Sequence, residues 1–400
     1  MPQPLLQSLR LSGFLSFQPG SERIDLAPLN VLIGPNGSGK SNLIEAIELL
    51  HATEGDLAAV LRLGGAPSEW IWRGEANHEA EICAKLTPPL TTELLSYRLA
   101  LAEVNYRLEI VDEAIETAEP RPGDANPRLF YNFRRGQPVI ATRVLAVDGS
   151  TDSQYAERRL KRADLNPQES VLSQRRDPDL YPEVTAVAAA FAAIQTHREW
   201  SFGRLCPPRL AQPADLAGQT LEPNGRNLGL ILNEIEHTPA WPRLNDCLRR
   251  FLPRFARLST RVQSGSIQVC LHETGLQAPV PATRMSDGTL RFIALLAVLL
   301  RSDTAPVLCI EEPELGLHPD ALELIAELMV EASKRSQIMV TTHSDILVSA
   351  LTDHADSVLV CEHLGAGSVV SRIAADKLKF WLAKYRLGEI WRMGKLGGNP

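Results

Sequence analysis

The sequence predicts an α/β protein: a sheet core, a β-rich layer beside it, and an inserted lobe of helical composition. Three observations carry that expectation. Gly34-Pro35-Asn36-Gly37-Ser38-Gly39-Lys40-Ser41 fits the phosphate-loop pattern G-x-x-x-x-G-K-[ST], between the apolar run Asn30–Ile33 and a helix-spaced segment, Asn42–Leu50. A second apolar run, Pro306–Ile310, ends in Glu311-Glu312. A third, Gln337–Val340, ends in Thr341-Thr342-His343-Ser344. Such runs read as buried parallel strands, whose C-terminal ends face ligands.

Composition bounds the class. The chain is 44% hydrophobic and 22% charged, an ordinary globular balance long enough for a substantial core with an inserted lobe. A net charge of −7 excludes a global basic footprint for nucleic acid or membrane, but not a local patch. Six scattered cysteines without a CxxC pair argue against a zinc site or disulfide framework and for a reducing, cytoplasmic compartment. The first residues, Met1-Pro2-Gln3-Pro4, lack a charged and apolar leader, and no apolar run is long enough for a membrane span; no membrane partner is expected.

Taken in order, Leu5–Leu11, Phe14–Phe17 and Ile24–Leu26 read as short strands. The helix after the phosphate loop is expected to run on through Glu54 to Leu63 and stop at Gly64-Gly65. Glu79–Leu86, Ser96–Glu103, Tyr106–Val111, Arg128–Phe133 and Val139–Val147 favour strand, a β-rich layer. Gly149–Pro167 is polar and reads as helix and loop. Val171–Gln174 is a short apolar run before helical composition at Pro182–Thr196, Leu228–Glu236 and Arg243–Phe255. Cys206–Asn227 reads as a long loop and Ser266–His272 as a strand. Leu290–Leu300 and Leu322–Ala332 are helices, and Ser357–Cys361 and Ser368–Ile373 are strands. Lys377–Tyr385 is a last helix before a small-residue tail ending Gly397-Gly398-Asn399-Pro400. No heptads or fixed-period repeats run through the chain.

The chemistry follows from these placements. Glycines let the loop bring several N–H groups to one anion, and the helix start adds its dipole. Asn36, Gly37, Ser38, Gly39 and Asn42 line that cradle; Lys40 neutralises the β/γ-phosphates of ATP and Ser41 holds Mg²⁺. At the second strand end Glu311 takes a place in the metal shell and Glu312 polarises the attacking water. His343, ending the next strand, reaches the γ-phosphate or that water.

Gly34–Ser41, Ser286-Asp287-Gly288, Glu311-Glu312-Pro313, Leu315–Asp320 and His343 occur in the order of ABC-type ATPase motifs and resemble Walker A, signature, Walker B, D-loop and switch histidine. The wording Gly-Pro-Asn-Gly-Ser-Gly-Lys-Ser-Asn with Glu-Glu-Pro-Glu-x-x-Leu-His-Pro is similar to RecF, SMC and OLD-like ATPases. The resemblance spans roughly 1–50 and 280–350. It implies an ABC-type P-loop ATPase head with a RecA-like mixed sheet core. The division it suggests is a nucleotide-binding lobe at 1–175 and 301–373, a helical lobe with the signature loop at 176–300, and a C-terminal helix and tail at 374–400. It makes Gln174 either a Q-loop glutamine touching the metal and γ-phosphate or a solvent-facing residue. Glu311 stands where many relatives have Asp, and Asp287 adds a negative charge to be offset by Arg284 or Arg291. The middle of the chain lacks the long coiled coil of SMC proteins.

The resemblance further implies a homodimer on ATP binding, with Ser286 and Gly288 of one subunit covering the γ-phosphate of the other. This is a switch for DNA maintenance or anti-phage defence, with DNA and a separate nuclease as partners. The alternative is the nucleotide-binding subunit of a membrane transporter. Arg158-Arg159-Leu160-Lys161-Arg162, Arg175-Arg176 and Arg249-Arg250 with Arg254 and Arg257 are either solvated faces or DNA-phosphate contacts. Trp381 and Trp391 either bury the tail on the chain's own core or dock a partner.

Overall fold

A computed structural model describes residues 4–74, 79–89, 91, 93–134, 136–144, 154–198, 200–216, 219–301, 305–365 and 367–397. The expectations for 145–153 and for Gly398-Asn399-Pro400 lie outside these residues.

The centre is a six-stranded sheet of β3 (Leu29–Ile33), β10 (Ile194–His197), β15 (Val307–Glu311), β16 (Gln337–Thr341), β17 (Val358–Leu364) and β18 (Gly367–Arg372), ordered β10-β15-β16-β3-β17-β18. All neighbours run parallel except β17 and β18. Parallel strands covered on both faces need apolar side chains on both, and every residue of β3 and β16 is buried. Alternation splits them between two cores. Leu32, Val307 and Cys309 face one; Val31, Ile33, Leu308 and Ile310 face the other.

The first core lies under an antiparallel sheet of eight strands. They are β1 (Leu6–Ser12), β2 (Ile24–Asp25), β4 (Glu79–Leu86), β5 (Leu95–Val104), β6 (Arg107–Thr117), β7 (Leu129–Arg134), β8 (Val139–Val144) and β9 (Gln154–Arg159). The order is β2-β1-β4-β5-β6-β7-β8-β9. Helices α1 (Lys40–Ala52) and α5 (Pro182–Ala192) fill the layer between the two sheets. Gln337 pins the sheets together: its Oε1 accepts from Leu6 N at 3.0 Å and its Nε2 donates to Leu6 O at 2.7 Å.

The second core holds α6 (Leu228–Glu236), α7 (Ala240–Phe251), α8 (Asp287–Leu300) and α9 (Pro319–Ala332). It also carries a small antiparallel sheet: β12 (Phe255–Gln263) and β11 (Gln212–Pro213) flank β13 (Ser266–Glu273), and β14 (Val280–Pro281) also pairs with β13.

The inserted lobe therefore begins later and is less helical than the sequence predicts. Helix α5 and β10 belong to the nucleotide half, because β10 supplies the edge beside β15. Strand β12 escapes the sequence because Phe255, Leu258 and Val262 fall at helix-like spacing; pairing with β13 along its length makes it a strand. The first helix does not continue to Leu63. It ends at Ala52, where Thr53 Oγ1 bonds Leu50 O at 2.6 Å, and α2 (Leu57–Leu63) restarts with Asp56 as its cap. Phe14–Phe17 is a tight corner, with Leu15 at φ 48°, instead of a strand. Where helix was expected before Pro167, β9 pairs with β8. Short helices α3 (Pro67–Trp70) and α4 (Val171–Gln174) flank the first core. Three helices follow β16: α10 (Asp345–Ala350), α11 (Ala375–Leu382) and α12 (Leu387–Arg392).

Candidate functional site

The phosphate loop leaves the buried end of β3 and enters α1 through Gly39, at φ 98°. Gly34 and Gly39 are required sterically. A Cβ on Gly34 would meet Cys361 O at 2.1 Å, and one on Gly39 would meet Ser368 Oγ at 2.5 Å and Ser16 Oγ at 2.8 Å. Lys40 is buried under the loop, its Nζ donating to Gly34 O at 2.7 Å and Pro35 O at 3.0 Å. Burial lowers the Lys40 ammonium below its ordinary range; Cys361 and then Glu312, Glu314 and Glu311 push it back up. Asn36, Gly37 and Ser41 are exposed at the mouth, and Asn42 Nδ2 donates to Ser16 Oγ at 2.7 Å.

The acids come from the neighbouring strands. Glu311 closes β15 in register with Thr341, and Glu312 follows at φ 44°, its N–H donating to Thr341 O at 3.0 Å. His343 Nε2 lies 3.8 Å from Glu312 Oε1. Glu314 supports the turn that carries His343: its Oε1 accepts from Thr342 Oγ1 and from His343 N, each at 2.7 Å. The structure thus brings Lys40, Glu311, Glu312 and His343 to one edge of the sheet.

Gln174 does not join them. Its Oε1 accepts from Asn166 N at 2.8 Å and its Nε2 donates to Glu169 O at 2.8 Å, so it closes its own loop. Arg176, two residues on, pairs with Glu54 at 2.5 Å, beyond the far end of α1. A 13-residue helix is about 20 Å long, so Arg176 is anchored at the end of α1 opposite the phosphate loop. The strand beside β15 is β10, and the residue that emerges from it is Arg198. Its Nε donates to Glu311 Oε2 at 3.2 Å and its NH1 to Glu48 Oε2 at 2.8 Å. The sequence does not reveal Arg198, because His197-Arg198 forms no motif and the strand before it shares the helical composition of Pro182–Thr196.

Ser286 caps α8: its Oγ accepts from Thr289 N at 3.1 Å. Ser286 and Asp287 are exposed, and Gly288 packs on the loop after β15, where a Cβ would meet Gly316 O at 2.7 Å. The direct partner of Asp287 is Arg209, a buried arginine that bonds its carboxylate and the Met285 carbonyl, while Arg291 acts on it only through the field. Arg291, one turn into α8, donates to Trp200 O at 2.9 Å. Burial lowers its guanidinium, while Glu314, Glu312 and Asp287 raise it.

ATP with Mg²⁺ fits this donor set. Ser38 Oγ, Glu311 Oε1 and Glu314 Oε2 are buried oxygens without hydrogen-bond partners around the loop, so each has capacity left for a ligand or a metal-bound water. Beyond Ser16 and Asn42 opens a cavity of about 690 Å³ walled by Leu15, Ile71, Trp72 and His363, large enough for a nucleoside. All these wall residues lie outside the motifs.

A family model described as "AAA domain, putative AbiEii toxin, Type IV TA system" matches residues 29–138 and 140–349. Among curated proteins, an 82-residue stretch is 39% identical to the chromosome partition protein Smc of Lactiplantibacillus plantarum, covering 20% of this chain and 7% of that protein. An 80-residue stretch is 34% identical to the vitamin B12 import ATP-binding protein BtuD of Salmonella heidelberg, covering 20% and 30%. The chain thus aligns with less than a third of either relative's length. Among solved structures, an Smc head bound to the C-terminal winged-helix domain of ScpA aligns over 94% of this chain and 99% of that one, with TM-score 0.58 at 16% identity. An Smc head from Pyrococcus furiosus, bound to the C-terminal domain of ScpA, aligns over 95% and 99%, with TM-score 0.56 at 15% identity.

Proposed function

The chain belongs to this AAA-domain family and is an SMC/RecF-like P-loop ATPase, and from that premise we propose that it is a two-subunit switch closed by ATP and opened by hydrolysis. The observation that supports this is the exposure of Ser286 and Asp287 at the start of α8. Lys40, Glu311, Glu312 and His343 surround the phosphate position on one side. Ser286, at an uncovered helix start, presents its N–H groups and dipole outward from the other core. A γ-phosphate held by one head is then sealed by the Ser286–Gly288 turn of a second copy.

Mechanistically, the loop N–H groups and Lys40 hold the triphosphate. Ser41 and Glu311 would hold Mg²⁺, which supplies charge neutralisation between the phosphates. Glu312 accepts the proton of the attacking water, and His343 hydrogen-bonds the γ-phosphate beside it. Glu314 keeps the His343 backbone in place.

The switch is proposed to work in the cytoplasm on DNA, in maintenance or defence, with a separate nuclease. Six free thiols among the described residues support a reducing setting, and no described helix is long and apolar enough to cross a membrane. The basic residues Arg158, Arg159, Lys161 and Arg162 are exposed at one corner of the eight-stranded sheet, which supports phosphate contact. The transporter reading has an 80-residue match behind it.

Light scattering of Glu312→Gln protein with ATP and Mg²⁺ tests the switch. A dimer that persists with ATP and dissolves with ADP is expected. A strictly monomeric protein with full wild-type turnover would overturn it.

A further inference from the structure

Three carboxylates converge beside the phosphate loop: Glu45 and Glu48 from α1 and Glu311 from the end of β15. One guanidinium serves all of them. Arg198 Nε lies 3.2 Å from Glu311 Oε2, NH1 2.8 Å from Glu48 Oε2, and NH2 3.9 Å from Glu45 Oε2. Each nitrogen faces a different acid, a division that the planar fork of arginine allows and a lysine ammonium does not. The four side chains are mostly shielded from solvent, between 15% and 32% exposed. Burial holds the Glu45 carboxyl above its ordinary range, with Arg198 opposing and Glu48 and Glu311 adding to the rise. Without a cation here, three shielded carboxylates would repel one another.

We infer that Arg198 stands in for the divalent cation while no nucleotide is bound, and releases Glu311 when the metal arrives with the phosphates. The inference rests on the reading of Glu311 as the metal acid. The geometry allows an exchange in which no charge is left alone. Glu311 Oε1 is buried and has no partner, so it gives an incoming ion a foothold before Oε2 is free. Glu48 already holds the other side of the guanidinium at the shorter distance, so Arg198 keeps a partner when Glu311 leaves. Arg198 is a positioning residue in this scheme: it touches neither nucleotide nor metal and acts through Glu311. Its place also fits the task, because it leaves β10 at the point where the chain departs for the lobe carrying Ser286.

The test uses the full chain without nucleotide and reads melting temperature in EDTA and in millimolar MgCl₂. The wild-type protein should melt at the same temperature in both, because its counter-ion is internal. Arg198→Met should melt several degrees lower in EDTA and recover most of that loss in MgCl₂. Glu45→Gln and Glu48→Gln added to Arg198→Met should abolish the response to Mg²⁺. Arg198→Lys, which keeps the charge but loses the fork, should respond partially, and carries the test should Arg198→Met fail to fold. Arg198 variants that lose stability with no recovery in Mg²⁺, or that melt like wild type in EDTA, would overturn the inference. The nucleotide-site reading fails by a different result, absence of ATP binding to the wild-type protein, so the two failures are distinguishable.

Discussion

His343 Nε2 stands 3.8 Å from Glu312 Oε1, and Glu312 is held in the left-handed backbone region at φ 44°. A non-glycine residue there costs about 1–3 kcal/mol, and the structure sustains it by anchoring Glu312 N on Thr341 O. The strain aims a carboxylate out of the strand end toward the imidazole. Glu312→Gln keeps shape and hydrogen bonding but removes the base. Turnover should fall by roughly 10²–10⁴-fold with ATP affinity preserved. Glu312→Gly, which relieves the backbone, should be equally inactive yet melt no lower than wild type. A Glu312→Gln enzyme within twofold of wild type would remove Glu312 from the mechanism.

Lys40 lies under the loop with backbone carbonyls of that loop as its partners. Two charge-assisted bonds to phosphate oxygens are worth about 1.5–3 kcal/mol each. Lys40→Ala should therefore weaken ATP binding by on the order of 100-fold or more, read by calorimetry. Unchanged affinity would place the nucleotide elsewhere.

The composite site can be tested by mixing damaged subunits. Lys40→Ala in one chain and Ser286→Arg in the other put both defects in one interface site and leave the second intact. Mixed protein should recover ATP-dependent dimers by crosslinking, although neither variant dimerises alone. The double variant mixed with wild type should form no mixed dimers, because its defects then fall in both sites. Efficient hydrolysis by strictly monomeric Ser286→Arg protein would show that a lone head covers its own γ-phosphate.

The tail is part of the core. Trp391 is fully buried, α12 packs on α10, and a Cβ on Gly388 would meet Asp345 O at 1.9 Å. Arg392 Nε pairs with Asp345 Oδ2 at 3.1 Å, two residues after His343. Trp391→Ala should cost about 3–5 kcal/mol in denaturant unfolding. An unchanged midpoint would return the tail to a docking role.

His197 is fully buried, and burial pushes its imidazole down to about 4 from an ordinary 6.5. Its Nδ1 accepts from Trp200 Nε1 at 3.2 Å, so the ring is neutral in the folded protein. The unfolded chain takes up the proton as pH falls below about 6.5, the folded chain only near 4, so stability is lost on acidification across that window. The contribution is roughly 3 kcal/mol at about 1.4 kcal/mol per unit. His197→Gln should flatten unfolding free energy between these values; an identical slope would exonerate the residue.

Motif-bearing positions were legible because their chemistry is local. The phosphate loop, the Glu311-Glu312 strand end and His343 each combine a special residue type with an apolar run, and the structure sets them at one edge of the sheet. Arg198 and Arg209 were illegible because their roles depend on partners far along the chain, Glu48 and Asp287. Gln174 misled for the converse reason: its position before a helical stretch mimicked a linker. The nucleotide sheet interleaves strands, and α5 leads into β10 of that sheet, not into the lobe. Strand β12 shows a helix-like period that only its long pairing with β13 overrides.

That interleaving governs how the protein is born. The eight-stranded sheet is mostly a run of neighbouring hairpins and can close as it leaves the ribosome. Strand β3, which carries the phosphate loop, instead lies between β16 and β17, whose residues emerge about 300 positions later. At about 5–20 residues per second, the loop waits roughly 15–60 s without its neighbours. Nascent chains stalled after residue 336 should therefore retain no ATP, whereas chains stalled beyond 372 should. ATP capture by the shorter chain would show that the loop forms without its flanking strands. Synthesis itself thereby acts as a checkpoint: a head that is not yet complete cannot be switched on.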